Sequence, residues 1–87
     1  METKIIKRVQ PEYPYDARAA RIQGTVKLHA IISKEGTIKS LEVVSGPPEL
    51  VSAAVKAVRQ WRYSPIQLNN GAHVEVDTYI DIVFALH

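Results

Sequence analysis

The sequence predicts an α+β fold: a three-stranded antiparallel sheet in the order second-first-third, with two helices packed on one face and elements running α-β-β-α-β. Three observations predict it. First, Val74, Val76, Thr78, Ile80, Ile82, Phe84 and Leu86 occupy alternate positions, separated by Glu75, Asp77, Tyr79, Asp81, Val83 and Ala85. A period of two buries one face of a strand and wets the other. Second, Thr25 to Ser33 alternates in the same way, and Lys34-Glu35-Gly36 forms a short turn into a return strand over Thr37 to Ser45. Third, Leu50, Ala54, Ala57, Val58 and Trp61 recur at helical spacing within Glu49 to Arg62. That helix carries the chain from the second strand to the third. A right-handed crossover makes those two strands parallel, so the first strand must lie between them. Only one face of each strand is apolar, so both helices cover that face, and the third strand ends at an edge.

Each element has its own local reason. Lys4 to Gln10 is short and mixed, and reads as an extended arm that could pair with a sheet edge. Pro11 and Pro14 follow; Tyr13, preceding a proline, is held extended, and Pro14 suits the first turn of a helix. Tyr15 to Ile22 supplies helix formers, with Gly24 placed for a left-handed C-terminal cap. So short a helix needs packing, through Ala17, Ala20 and Ile22. In the return strand the phase slips: Ile38 and Ser40 fall on one side, Leu41 and Val43 on the other. A bulge between Ser40 and Leu41 would restore the pattern. Gly46-Pro47-Pro48 ends the hairpin. In the long helix Glu49 sits at the positive end, and Arg59 and Arg62 at the negative end, matching the dipole. Ser64-Pro65 stops it, and Asn69-Asn70-Gly71 signals a turn before the last strand.

With 87 residues, one domain is the expectation, residues 1–10 forming an N-terminal arm or linker remnant and residues 11–87 the domain. The net charge of +2 is mild, and the basic residues are scattered rather than gathered into a nucleic-acid stripe. There is no cysteine, which excludes disulfides and thiolate metal sites. These residues contain no apolar run of transmembrane length and no signal peptide, so an anchor, where one exists, lies upstream.

The sequence shows no catalytic or cofactor constellation. His29, His73 and His87 lack metal-ligand spacing. Glu75, Asp77 and Asp81 alternate on the wet face of a strand, opposite Lys27 and His29. Cross-strand pairing, with Lys27 facing one of these acids, explains them better than acid–base chemistry. No Ser-His-Asp grouping or Gly-rich phosphate loop appears. Trp61 falls on the apolar stripe and reads as a core anchor, whereas Tyr63, just past the helix, is more open to a surface role. No enzyme, metal or cofactor is therefore expected.

An ordered set of motifs resembles a known family. Gln10-Pro11-Glu12-Tyr13-Pro14, Ala17 and Ala20, then Arg21-Ile22-Gln23-Gly24-Thr25-Val26 are similar to the opening of the TonB C-terminal domain. The Gly36 turn, Val43-Val44-Ser45-Gly46, Ala54, Ala57, and Trp61-Arg62-Tyr63-Ser64-Pro65 continue the likeness, which spans Arg8 to Leu86. The stretch Ile66 to His73, with its Asn-Asn-Gly turn, is longer than in well-studied members, so binding positions near the start of the last strand carry over poorly. The resemblance implies a periplasmic domain, tethered through a linker to an inner-membrane anchor that works with ExbB and ExbD on the proton gradient. It also implies a grip on the TonB box of outer-membrane receptors, which adds as a strand beside the last strand.

The strand pattern alone reaches the same geometry, because an edge strand presents unpaired N–H and C=O groups. The partner-binding edge is expected over Thr78, Tyr79, Ile80, Asp81, Ile82, Val83, Phe84 and Ala85. The same edge invites strand exchange between two copies, giving a homodimer. A fused or adaptor module that binds another extended peptide without energy transduction is the alternative; an upstream anchor and Pro-rich linker would separate the two. A nucleic-acid partner would need exposed aromatics on the open face, where only Tyr79 qualifies and acids flank it.

Overall fold

In the computed structural model, which describes residues 4–86, the chain folds as nine elements. They are β1 (Ile5–Lys7), α1 (Tyr15–Ala19), β2 (Gly24–Ile32), β3 (Ile38–Ser45), α2 (Pro48–Val58), β4 (Arg62–Tyr63), β5 (Ile66–Gln67), β6 (His73–Val74) and β7 (Val76–Phe84). The main sheet is antiparallel in the order β3-β2-β7, the order expected from the crossover argument. Two small pairs flank it, β1 with β4 and β5 with β6.

β2 is the axis of the core. Its inward residues Val26, Leu28, Ala30 and Ile32 are buried, together with Ile80, Ile82 and Phe84 of β7. Ala17 of α1 and Leu50, Ala54 and Val58 of α2 cover this face. The opposite face is open: His29, paired with Tyr79 and Glu42, and Lys27, paired with Asp81 and Ser45, point to solvent. β2 and β7 pair without interruption from Gly24↔Phe84 to Ile32↔Val76. β3 does not match this regularity. Its register slips twice, at Lys39 and at Val44, each an extra residue opposite β2. The expected bulge between Ser40 and Leu41 is thus displaced: that step is regular. The slip at Lys39 brings Ile38 and Leu41 to the same, half-buried side.

Other local expectations are corrected by tertiary contacts. α1 ends not on Gly24 but on Arg21, whose φ of 56° is left-handed. Ile22 N–H donates to the Ala17 carbonyl at 2.8 Å and Arg21 N–H to that of Arg18 at 3.1 Å, the paired bonds of a Schellman motif. Gly24 instead opens β2. Ala20, expected to pack, is exposed. α2 stops at Val58, short of Arg62, which lies in β4. The Arg62 guanidinium nevertheless donates to the carbonyls of Arg59 at 3.4 Å and Trp61 at 2.8 Å, so a cation still satisfies groups at this negative end.

Trp61 lies past the helix and remains core, only 2% exposed. Its indole Nε1 donates to the Val9 carbonyl at 2.8 Å, and the Arg8 guanidinium sits 5.1 Å from the ring centroid. The arm therefore docks through Trp61, and pairs with β4 rather than with the main sheet. The β2–β3 turn docks against the same strand. Tyr63 N–H donates to the Gly36 carbonyl at 2.8 Å. Gly36 has φ +92°, and a Cβ there would lie 1.9 Å from the Tyr63 carbonyl oxygen. At the far end, the β5–β6 hairpin turns through Gly71 at φ +86°. Only Glu75 separates β6 from β7, so the hairpin prolongs the line of β7. The radius of gyration is 14.5 Å. A compact chain of this length would have about 12 Å, so the domain is elongated.

Two substitutions test this packing. Trp61→Ala should cost roughly 3–5 kcal/mol, the usual loss for a large buried aromatic, and leave the domain largely unfolded. A loss under about 1 kcal/mol in urea melts would mean that Trp61 is not core. Gly36→Ala should cost roughly 2–5 kcal/mol, from left-handed strain plus displacement of β4. Unchanged melting of that variant would contradict the close approach of the turn to Tyr63.

Candidate peptide-binding edge

β7 is the element on which a site can be built. One of its edges is taken by β2; along the other runs a groove walled by the docked arm. Near the start of β7, Ile5, Arg8, Trp61 and Tyr63 face Val76 to Asp81 across a cavity of about 450 Å³. Further along, Arg8, Gln10, Pro11 and Trp61 face Asp81 to Val83 across about 230 Å³. Trp61 and Arg8 border both parts, so the tryptophan that anchors the arm also shapes the groove.

Of the residues expected at the edge, Tyr79, Asp81, Val83 and Ala85 are exposed, and Thr78 is half-buried. Ile80, Ile82 and Phe84 are committed to the core. Only their main-chain atoms could face a partner. Tyr79 and Val83 are 65% and 68% exposed, large values for apolar side chains in a strand.

The motif residues mostly build the groove rather than present chemistry. Tyr13 donates its hydroxyl to the Ile22 carbonyl and sets its ring edge-on to Phe84, with centroids 5.4 Å apart. It thereby ties the segment after the arm to both α1 and β7. Pro14 precedes α1 with φ −60° and ψ 136°, and its carbonyl accepts from Arg18 N–H at 2.9 Å. Pro65 lies between β4 and β5. Tyr63, expected at the surface, is only 5% exposed. Burial raises its phenol pKa above the ordinary 10.0, while the charge of Arg8 opposes the shift.

The charges of the open face are arranged differently from the expectation. Lys27 lies opposite Asp81, but its Nζ is placed 5.9 Å from the Tyr79 ring centroid instead of in an ion pair. His29 Nε2 contacts Asp77, its Nδ1 lies 3.9 Å from Glu42, and its ring packs 5.1 Å from Tyr79. Lys39 pairs with Glu75. These contacts are partly exposed and contribute about 0–1 kcal/mol each, so they fix register more than stability. Among the described residues no grouping of His, Asp and Glu could hold a metal.

The family model described as the Gram-negative bacterial TonB protein C-terminal matches residues 9–86. The chain belongs to this family. It is 44% identical over 62 residues to the protein TonB of Klebsiella pneumoniae, covering 69% of this chain and 26% of that protein. It is 33% identical over 75 residues to the protein TonB of Escherichia coli, covering 84% of this chain and 31% of that protein. The solution NMR structure of the Pseudomonas aeruginosa TonB CTD superposes with a TM-score of 0.79 at 26% identity, covering 97% of this chain and 86% of that one. The TonB C-terminal family serves transport and is not a family of enzymes. The present chain spans about a quarter to a third of the curated TonB relatives it matches.

What the sequence reading missed is the groove's second wall. β1 pairs with a strand more than fifty residues away, and the only sequence sign of that contact is an extended arm before Pro11.

The alkaline limb of stability tests the burial of Tyr63. The folded state holds the phenol protonated at a pH where the unfolded chain ionises it. Its contribution is therefore complete below about pH 10 and is lost as pH rises through the folded value. Urea melts between pH 9 and 12 should show this slope in the parent and a shallower one in Tyr63→Phe. Identical slopes would place Tyr63 in water.

Proposed function

We propose that this domain is the periplasmic C-terminal part of a TonB-type energy transducer, and that it binds the TonB box of outer-membrane receptors by β-strand addition along the free edge of β7. One observation carries the reading. The main sheet has two edges, and they differ. β3 is interrupted at Lys39 and Val44, and bulges of this kind blunt an edge against pairing. β7 runs nine residues in unbroken register with β2, contains no proline, and borders the groove walled by the arm. A strand added there would be held chiefly by main-chain hydrogen bonds, with Tyr79, Asp81 and Val83 offering side-chain contacts on the open face.

Family membership supports the rest. An inner-membrane anchor upstream, working with ExbB and ExbD, would supply work drawn from the proton gradient, and the domain would pass it to the receptor. No described helix is long and apolar enough to cross a membrane, so the anchor would have to come from other segments of the protein. The same free edge would let two copies pair when no peptide is present.

Each main-chain bond is worth about 1 kcal/mol net. Roughly five of them, less the cost of ordering the peptide, give weak to moderate affinity, which suits a grip that must also release. Titration with a TonB-box-like peptide, followed by amide chemical shifts, tests the geometry. The largest shifts should fall between Thr78 and Ala85. Alanine at Tyr79 or Val83 should weaken binding modestly. Asp77, Tyr79, Asp81 and Val83 share one parity, so their N–H groups face the same edge, and proline at any of them that leaves the domain folded by circular dichroism should weaken binding more. Shifts centred on the Lys34–Gly36 turn or the helix ends, with every folded proline variant binding like the parent, would sink the proposal.

A further inference from the structure

The ribbon formed by β1 and β4 carries a charge pattern that the groove does not use. Its register sets Ile5 opposite Tyr63 and Lys7 opposite Arg62, so two residues of β1 stand against one step of β4. The extra residue is Ile6. Without this bulge Ile6, and not Lys7, would lie opposite Arg62. The bulge thus creates a pair of like charges, an arrangement that is destabilising directly across two strands. Arg59 joins the pair, since the Arg62 guanidinium donates to the Arg59 carbonyl at 3.4 Å. Lys4 joins from the arm, where its carbonyl accepts from Ser64 N–H at 2.8 Å. All four cations are exposed, and none forms an ion pair among the described residues.

These cations are scattered in the sequence, and the fold gathers them. Acids collect elsewhere: Glu42, Asp77 and Asp81 lie on strands of the main sheet. The β2–β3 turn that docks on Tyr63 brings Lys34 and Glu35 together, and their charges cancel. The mild net charge of +2 therefore conceals a strongly basic end. Lys7, Arg59 and Arg62 border neither hollow beside β7, so this end is separate from the groove. The helix dipole accounts for Arg59 and Arg62 singly. It does not account for Lys4, nor for Lys7 set against Arg62. Ile6 stands among these charges with its side chain in water, 68% exposed.

We infer that the β1–β4 ribbon docks on an anionic phospholipid surface, with Lys4, Lys7, Arg59 and Arg62 meeting headgroup phosphates and Ile6 entering the boundary with the acyl chains. An apolar tip ringed by cations suits that interface: the charges draw the domain to it, and the apolar side chain leaves water there. A nucleic acid would supply phosphates but leave Ile6 in water. It would also find no stacking platform, because the aromatics of this end, Trp61 and Tyr63, are buried. The cations explain attraction to any polyanion; the bulged isoleucine among them points to lipid. The inference stands apart from strand addition, since it uses neither β7 nor the groove.

Co-sedimentation with vesicles tests it, using phosphatidylcholine alone or mixed with phosphatidylglycerol. The parent chain should partition about tenfold or more in favour of the anionic vesicles, and added salt should remove the difference. Lys4→Gln combined with Lys7→Gln should lower that binding roughly tenfold. Arg18→Gln combined with Arg21→Gln removes the same net charge beside Ala85 and Leu86, at the other end of β7, and should change it by less than about twofold. Ile6→Ser should weaken it about fivefold while keeping its salt dependence. Folding of each variant is checked by circular dichroism. Equal partition of the parent between the two vesicle types would overturn the proposal. So would equal losses in the two double variants, which would make net charge the cause. An Ile6→Ser variant that binds the anionic vesicles like the parent, or a DNA duplex held as tightly as those vesicles, would assign the patch to polyanions in general and overturn the lipid surface.

Discussion

The hydrogen bond from the Trp61 indole to the Val9 carbonyl joins two parts of the molecule that would otherwise be independent. On one side of it is the core, since Trp61 packs with Leu50, Val58 and the inward face of β7. On the other is the arm, which has too few contacts of its own: β1 is three residues long and exposed throughout. An arm of that length could not pair stably with β4 unless something fixed its far end, because ordering each residue costs about 1–2 kcal/mol. Trp61 fixes that end, Tyr13 fixes the next segment against Phe84, and between them the chain from Ile5 to Pro11 becomes a wall. Without this anchoring β7 would be an edge facing bulk solvent rather than one side of a groove.

The division of labour within β7 follows. Alternate residues are spent on the core, and this holds the strand straight and in register with β2. The edge can then act through its main chain, whose spacing is the same for any partner sequence. For a strand added as proposed, selectivity would come from elsewhere: the open-face side chains Tyr79, Asp81 and Val83 and the arm opposite. The two bulges in β3 serve this arrangement indirectly. They leave the sheet with one regular free edge instead of two, so an added strand, as proposed, would pair on the side that the arm lines.

Much of this was legible in the sequence, for reasons that can be stated. The alternation in β2 and β7 is long, and the helical crossover permits only one strand order, so architecture followed from pattern and chirality. What failed were boundaries decided by distant partners. Trp61 fits the apolar stripe of α2 and so prolongs the apparent helix, but past Val58 the chain tightens into i→i−3 turns, Gln60 N–H to Ala57 and Trp61 N–H to Val58, and the indole reaches Val9. Tyr63 follows it inward, pinned by Gly36 from the other side of the molecule. Arg21 is not legible as a cap, because glycine is the ordinary choice and Gly24 stands three residues on. The slip in β3 was visible as a broken phase, yet not its exact step, since either neighbouring residue could absorb it. As for the site, the edge strand was legible and the groove was not: nothing in Lys4 to Gln10 shows that it would lie against β4.

The uninterrupted ladder between β2 and β7 also has a mechanical meaning. Its hydrogen bonds lie across the strands. A pull directed along β7 tries to slide one strand past the other and loads all nine residue pairs together. A pull directed away from the sheet peels them apart one at a time. The same holds for any chain laid along the outer side of β7. Such a chain would resist tension along its own axis far better than its modest affinity suggests, and would come away readily when lifted from one end. The direction of force, more than the depth of the binding well, would then decide whether the contact holds or lets go.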